Sequence, residues 1–211
     1  MKRLLLPLVL VVLTGCQSAY YSTMEKFGIE KRDILVDRVE EAKDSQEEAQ
    51  QQFSSALEQF SALINFDGGE LQEVYESLKD QYEASEASAE RVTGRIDAVE
   101  SVAEALFDEW QDELDKYSSE NLRRDSQRKL RETQRRYSSL ITAMRKAESK
   151  MAPVLSALQD NVLYLKHNLN ASAIGALQGE FGTIKKDIDQ LIREMNTAIA
   201  QSNSFIESIQ N

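Results

Sequence analysis

Apolar residues in this chain recur at alternating steps of four and three, and they do so in four separate stretches. In the first, Leu35, Val39, Ala42, Gln46, Ala49, Phe53, Ala56, Phe60 and Leu63 keep that spacing. The second runs through Leu71, Tyr75, Leu78, Tyr82, Ser85, Ala89, Val92, Ile96, Val99, Ala103, Leu106 and Trp110. The third holds Leu130, Thr133, Tyr137, Leu140, Met144, Ala147, Met151 and Val154. The fourth holds Ile174, Leu177, Phe181, Ile184, Ile188, Leu191, Met195, Ala198, Ser202, Phe205 and Ile209. A 4-3 alternation keeps one narrow seam facing a partner only when helices wind around each other left-handedly. A strand would need alternation at every second residue, and no such β-branched run is present. The pattern therefore predicts an all-α protein built from long coiled-coil helices.

Turn-forming residues punctuate the stretches at Asn65-Phe66-Asp67-Gly68-Gly69, Ser118-Ser119-Glu120-Asn121 and Asn168-Leu169-Asn170-Ala171-Ser172. Connections this short make consecutive helices antiparallel neighbours. The expected fold is an elongated antiparallel four-helix coiled-coil bundle, up-down-up-down, over residues 25–211. Charge placement agrees with it. Folding about Asp67-Gly68 sets Arg38 near Asp97, Glu40 near Arg95, and Lys31 or Arg32 near Glu104. Folding about Ser119 sets the acidic run Asp108, Glu109, Asp112, Glu113, Asp115 against Arg123, Arg124, Arg128, Lys129 and Arg131.

Two features interrupt the pattern. Pro153 falls inside the third stretch, where proline removes a hydrogen bond and clashes with the preceding turn. Just beyond it the spacing slips to two consecutive fours, Val154 to Leu158 to Val162, so a kink or local unwinding is expected there. The fourth stretch opens with Gly175, Gly179 and Gly182, each unfavourable in a helix by about 1 kcal/mol. Close approach of a neighbouring backbone is the plain explanation, and a partner-docking face the alternative.

The beginning of the chain reads as a targeting signal rather than structure. Lys2 and Arg3 precede an apolar run from Leu4 to Leu13, shorter than the roughly 20 residues that span a bilayer. Leu13-Thr14-Gly15-Cys16 resembles the lipobox of bacterial lipoproteins, which implies a diacylglyceryl group on the sulfur of Cys16 and cleavage just before it. An ordinary signal peptide with a chance cysteine is the competing reading. Cys16 is the only cysteine in the chain, however, and an exported lone cysteine has no disulfide partner. On the lipoprotein reading residues 1–15 are the signal peptide and 16–24 the lipidated tether. Gln17-Ser18 lack the aspartate that retains such proteins at the inner membrane, which favours the outer membrane.

Removing Lys2 and Arg3 from the 25 basic residues leaves 23 against 36 acidic, a net charge of −13. Such a surface repels nucleic acid. The inventory for chemistry is thin. The chain has one histidine, His167, and spends its cysteine at the anchor, so zinc or haem ligation by His and Cys is excluded by count. Paired carboxylates such as Glu40-Glu41 and Glu47-Glu48 sit on solvated helix faces, where acid–base work is not expected. No glycine-rich phosphate loop follows a strand. The expectation is no enzyme, no metal and no cofactor.

The densest functional-looking feature is the basic stretch from Arg123 to Arg136. Pairing with the acidic end of the second helix is one role for it. Contact with a membrane is the other, because in an up-down-up-down bundle the tethered end, the second turn and the C-terminus share one pole. Arg123, Arg124 and Arg128 are then candidate headgroup contacts, with Tyr20 and Tyr21 as interfacial aromatics or as the first core residues.

Four segments carry a resemblance over essentially the whole chain. They are residues 16–21 (CQSAYY), 31–39 (KRDILVDRV), 103–110 (AEALFDEW) and 162–170 (VLYLKHNLN). They are similar to a family of proteobacterial lipoproteins catalogued only as a domain of unknown function. The resemblance implies an envelope location and a helical build, and transfers no catalytic or binding residue. The reading is a non-enzymatic periplasmic scaffold, spacer or adaptor, held to the membrane by its lipid and engaging an envelope protein partner. A membrane-surface, lipid-binding helical module is the alternative.

Overall fold

The computed structural model describes residues 30–65 and 71–210. Five helices account for nearly all of them: α1 (Lys31–Ile64), α2 (Leu71–Leu114), α3 (Glu120–Glu148), α4 (Met151–His167) and α5 (Ala171–Gln210). Helices α3 and α4 follow one another as a single interrupted arm, so the chain makes four antiparallel passes. Each pass packs against its two neighbours in a ring: α1 on α2 and α5, and the α3–α4 arm on α2 and α5. This is the expected up-down-up-down bundle. The 44 residues of α2 give the rod a length of about 66 Å at 1.5 Å per residue.

The 4-3 seam is the core. All nine seam residues of the first stretch, Leu35 to Leu63, are buried. Val92, Ile96 and Val99 of α2 and Ile188, Leu191 and Met195 of α5 are fully covered. Position 46 in this seam is a glutamine, wholly buried, and neither atom of its amide has a partner among the described residues. Burying such a group unpaired costs about 1–3 kcal/mol.

Cross-helix polar contacts fix the register. Between α1 and α2, Lys31 meets Glu109 at 3.1 Å, Arg95 meets Glu41 at 2.6 Å, and Gln52 bonds Gln81 at 2.8 Å. The first hairpin thus closes in the expected register with neighbouring partners exchanged: Arg95 takes Glu41 in place of Glu40, and Lys31 reaches Glu109 beyond Glu104. Asp97 turns away from Arg38 to the third arm. There Arg145 forks onto Glu100 (2.5 and 3.1 Å) and bonds Asp97 at 2.6 Å and Glu148 at 2.8 Å. Planar guanidinium–carboxylate forks of this kind fix geometry as well as adding attraction.

The second hairpin corrects the expected pairing. Arg123 bonds Glu120, and Arg128 bonds Asp125. Both partners lie three residues back on the same helix, where side chains naturally meet. Among the described residues no ion pair joins the acidic run of α2 to the basic stretch of α3.

The third arm breaks at Ser149–Lys150, upstream of Pro153. Pro153 is therefore the third residue of α4, not an interior residue of one continuous helix. First-turn N–H groups have no intrahelical acceptor, so the ring loses nothing there. The slipped spacing survives, with Val154, Leu158 and Val162 all buried. The glycines call for a second correction. A side chain added at Gly175, Gly179 or Gly182 would meet nothing within 4 Å, and all three are exposed. No neighbouring backbone accounts for them.

Candidate functional site

The topology brings the start of α1, the α2–α3 turn and the end of α5 to one pole, termed proximal because residues 1–29 join the bundle there. The opposite, distal pole holds the α1–α2 connection and residues 168–170. Cys16, the signal segment, Tyr20 and Tyr21 lie outside the described residues, as does the Phe66–Gly69 part of the first turn.

At the proximal pole the four passes separate enough to leave a cleft of about 340 Å³. Its floor is half-buried and largely apolar: Leu106 and Trp110 from α2, Thr133 from α3 and Ile209 from α5. Its rim is cationic, with Arg32 of α1 and Lys129 and Arg136 of α3 exposed, and one carboxylate, Glu132, joins the lining. Trp110 is held in place by its indole N–H, which donates to the Ser126 hydroxyl at 2.8 Å. Tyr137, next to Arg136 in sequence, packs edge-on against Phe107 at 5.4 Å and Phe205 at 6.4 Å. That burial pushes the Tyr137 hydroxyl up to about 12, and the nearby Glu100 carboxylate adds to the effect.

The rim cations are weakly committed. Arg32 lies 3.4 Å from Asp33, and Lys129 lies 3.6 Å from Asp125. No ion pair to Arg136 is formed among the described residues. On the other side of the Leu106–Trp110 wall a second cleft shares Arg32 and adds Lys31, but carries Glu30, Glu109 and Glu113. The two depressions therefore differ in sign.

Arg123, Arg124 and Arg128 stand at this pole as expected, all exposed, yet outside the cleft. Their same-helix partners feel them: Arg123 holds the Glu120 carboxyl below its ordinary range, and Arg128 does the same to Asp125. Arg124, Arg128, Arg131 and Arg135 recur at steps of four, three and four, all exposed. They form one row about 16 Å long down the face of α3 opposite the core. Sequence reading found the basic stretch but neither the row nor the cleft. The cleft joins residues as distant as Arg32 and Ile209, and Trp110 looked like one more seam position.

Elsewhere, His167 is the exposed last residue of α4 at the distal pole. Near it Leu163, Tyr164 and Leu169 are 50%, 41% and 39% exposed, and at the proximal pole Tyr117 and Leu122 are 42% and 60% exposed, so each end of the rod carries exposed apolar side chains. Among the described residues no cluster of His, Cys, Asp or Glu is arranged to hold a metal, and no helix is long and apolar enough to cross a membrane.

The fold and its polar shell define an antiparallel four-helix coiled-coil bundle, with shallow clefts at its ends and another beside the α3–α4 break, lined by Ala89, Thr93, Met151 and Leu155. The chain belongs to the family described as "Protein of unknown function (DUF2959)", whose model matches residues 20–209. No curated protein and no solved structure matches it.

Proposed function

We propose that this chain is a lipid-tethered, non-enzymatic spacer of the bacterial envelope, anchored through Cys16 on the periplasmic face of the outer membrane and presenting its distal tip to a protein partner. The observation that carries this reading is the group of exposed apolar side chains at the pole farthest from the tether. Thirteen residues separate Cys16 from Glu30, and the fourteen steps between them limit the proximal pole to about 50 Å from the anchor. The passes then carry Leu163, Tyr164 and Leu169 about 60 Å further along the bundle. Apolar side chains grouped at a rod end held away from the membrane suit contact with a protein partner.

The arginine row on α3 favours a second reading, a module lying along an anionic membrane. The row runs parallel to the rod axis, so a rod lying flat would present all four arginines at once, each attracted by about 1 kcal/mol. Photo-crosslinking in cells separates the two. The spacer reading expects protein adducts from a probe at Leu163 or Leu169 and none from one at Arg131. Lipid adducts at Arg131, with none at the tip, would replace it by the membrane-surface reading. Cys16→Ser tests the tether itself: the variant should leave the membrane fraction or remain unprocessed, and a cleaved variant that still floats with membranes would refute anchoring by lipid.

A further inference from the structure

We propose that the proximal cleft is a binding site for the headgroup of an anionic phospholipid. Arg32, Lys129 and Arg136 surround an opening whose only acidic lining residue is Glu132, a local excess of two positive charges in a strongly acidic protein. Guanidinium and ammonium groups set apart in this way suit a phosphodiester, which accepts several charge-assisted hydrogen bonds at once. The floor supplies the second half of the match. Leu106, Trp110 and Ile209 offer apolar surface for the glycerol and first methylenes, and indole rings favour that depth of a bilayer.

Position supports the same occupant, because the cleft lies at the pole where the segment leading back to Cys16 joins the bundle. To that extent the site rests on the tethered-spacer reading. The tether is itself a poor occupant, since residues 17–29 carry Glu25 and Lys26 and no net charge. Seating a headgroup here would hold the rod upright, while the neighbouring cleft, with three glutamates against Lys31 and Arg32, has a net charge of −1 and offers an anion less.

Trp110 is the only tryptophan in the chain, so its emission reports on the wall between the two clefts, and variants on either side tell which one is filled. The full lipidated chain in neutral detergent is titrated with dihexanoylphosphatidylglycerol. A saturable blue shift is expected, weakened by salt, with no response to dihexanoylphosphatidylcholine or to inorganic phosphate at the same concentrations. Lys129→Gln and Arg136→Gln should each weaken binding about fivefold, Arg136→Lys should largely retain it, and Glu113→Gln in the neighbouring cleft should not weaken it. The replaced side chains are exposed, so unchanged helical melting should accompany every variant. Four results would overturn the proposal: no saturable shift, an equal shift with phosphatidylcholine, a shift reproduced by phosphate alone, or one unaffected by both Gln variants. Blue emission before any lipid is added, insensitive to it afterwards, would assign the cleft to the chain's own residues 17–29 and overturn it likewise. Failure of Cys16→Ser to release the protein would refute the tether and leave this titration standing.

Discussion

Replacing Gln46 with Met should make the bundle more stable. The glutamine occupies a seam position with no exposed surface, and its amide oxygen and nitrogen have no hydrogen-bond partner among the described residues. The register set by Gln52 and Gln81 brings the small residues Ser88 and Ala89 of α2 to its level. Methionine has nearly the same length and volume and adapts to irregular gaps. The exchange removes a desolvation penalty of about 1–3 kcal/mol without opening a cavity. For a chain of this size each kcal/mol moves the midpoint by about 2–4 °C, so Tm should rise by roughly 2–12 °C. Thermal melts followed by circular dichroism, with urea titrations showing an unchanged m-value, would measure it. A lower Tm at unchanged m would refute the reasoning, because it would mean the amide is satisfied by a trapped water that methionine displaces. Buried polar positions in coiled coils commonly fix register at a cost in stability. Distances between spin labels on α1 and α2 should therefore broaden in the variant if Gln46 has that role.

Pro153→Ala should lower Tm by about 1–4 °C, since a proline in the first turn of α4 restrains the unfolded chain by about 0.4–1 kcal/mol and blocks no native hydrogen bond; a rise would show that α3 and α4 act as one strained helix. Gly175, Gly179 and Gly182 together replaced by Ala should stabilise α5 by about 2–3 kcal/mol, because nothing occupies the added methyl positions, and loss of envelope function despite the higher Tm would identify the row as a docking face. The Tyr137 hydroxyl is raised in the folded state, so it keeps its proton where the unfolded chain has lost one, and stability should fall as pH rises from about 10 to about 12. Tyr137→Phe should flatten that alkaline limb in pH-dependent urea melts; an unchanged slope would mean the hydroxyl is solvated.

The core was legible because burial in a coiled coil follows a one-dimensional rule. A residue at step four or three from the last lands on the seam whatever its neighbours are, which is why even Gln46, Ser85 and Ser202 were placed there and are buried. What escaped depends on the third dimension or on competition. Arg123 and Arg128 had two acceptors within reach, across the hairpin or three residues back, and the local one requires less ordering of long side chains. The break before Pro153 was anticipated at the proline, yet it falls at Ser149–Lys150, where α3 can end with the Ser149 N–H donating to the Arg145 carbonyl. The exposed glycines could not be assigned from sequence, because propensity reports what a residue costs a helix and not which way it faces. The cleft required four helix ends in register, a relation no local pattern encodes.

Because α5 packs against α1 and against both halves of the third arm, the bundle closes only when this fourth pass is in place. A chain emerging from its N-terminus can form the α1–α2 hairpin and lay α3 and α4 beside it, but those pieces form an open trough. Its lining, with Phe53, Phe60, Leu140 and Leu158, stays wet until residues 171–210 arrive. Synthesis halted within these forty residues therefore yields a sticky half-pipe instead of a shorter rod. Folding of such a chain is timed by the arrival of α5, and the open trough favours aggregation until that moment.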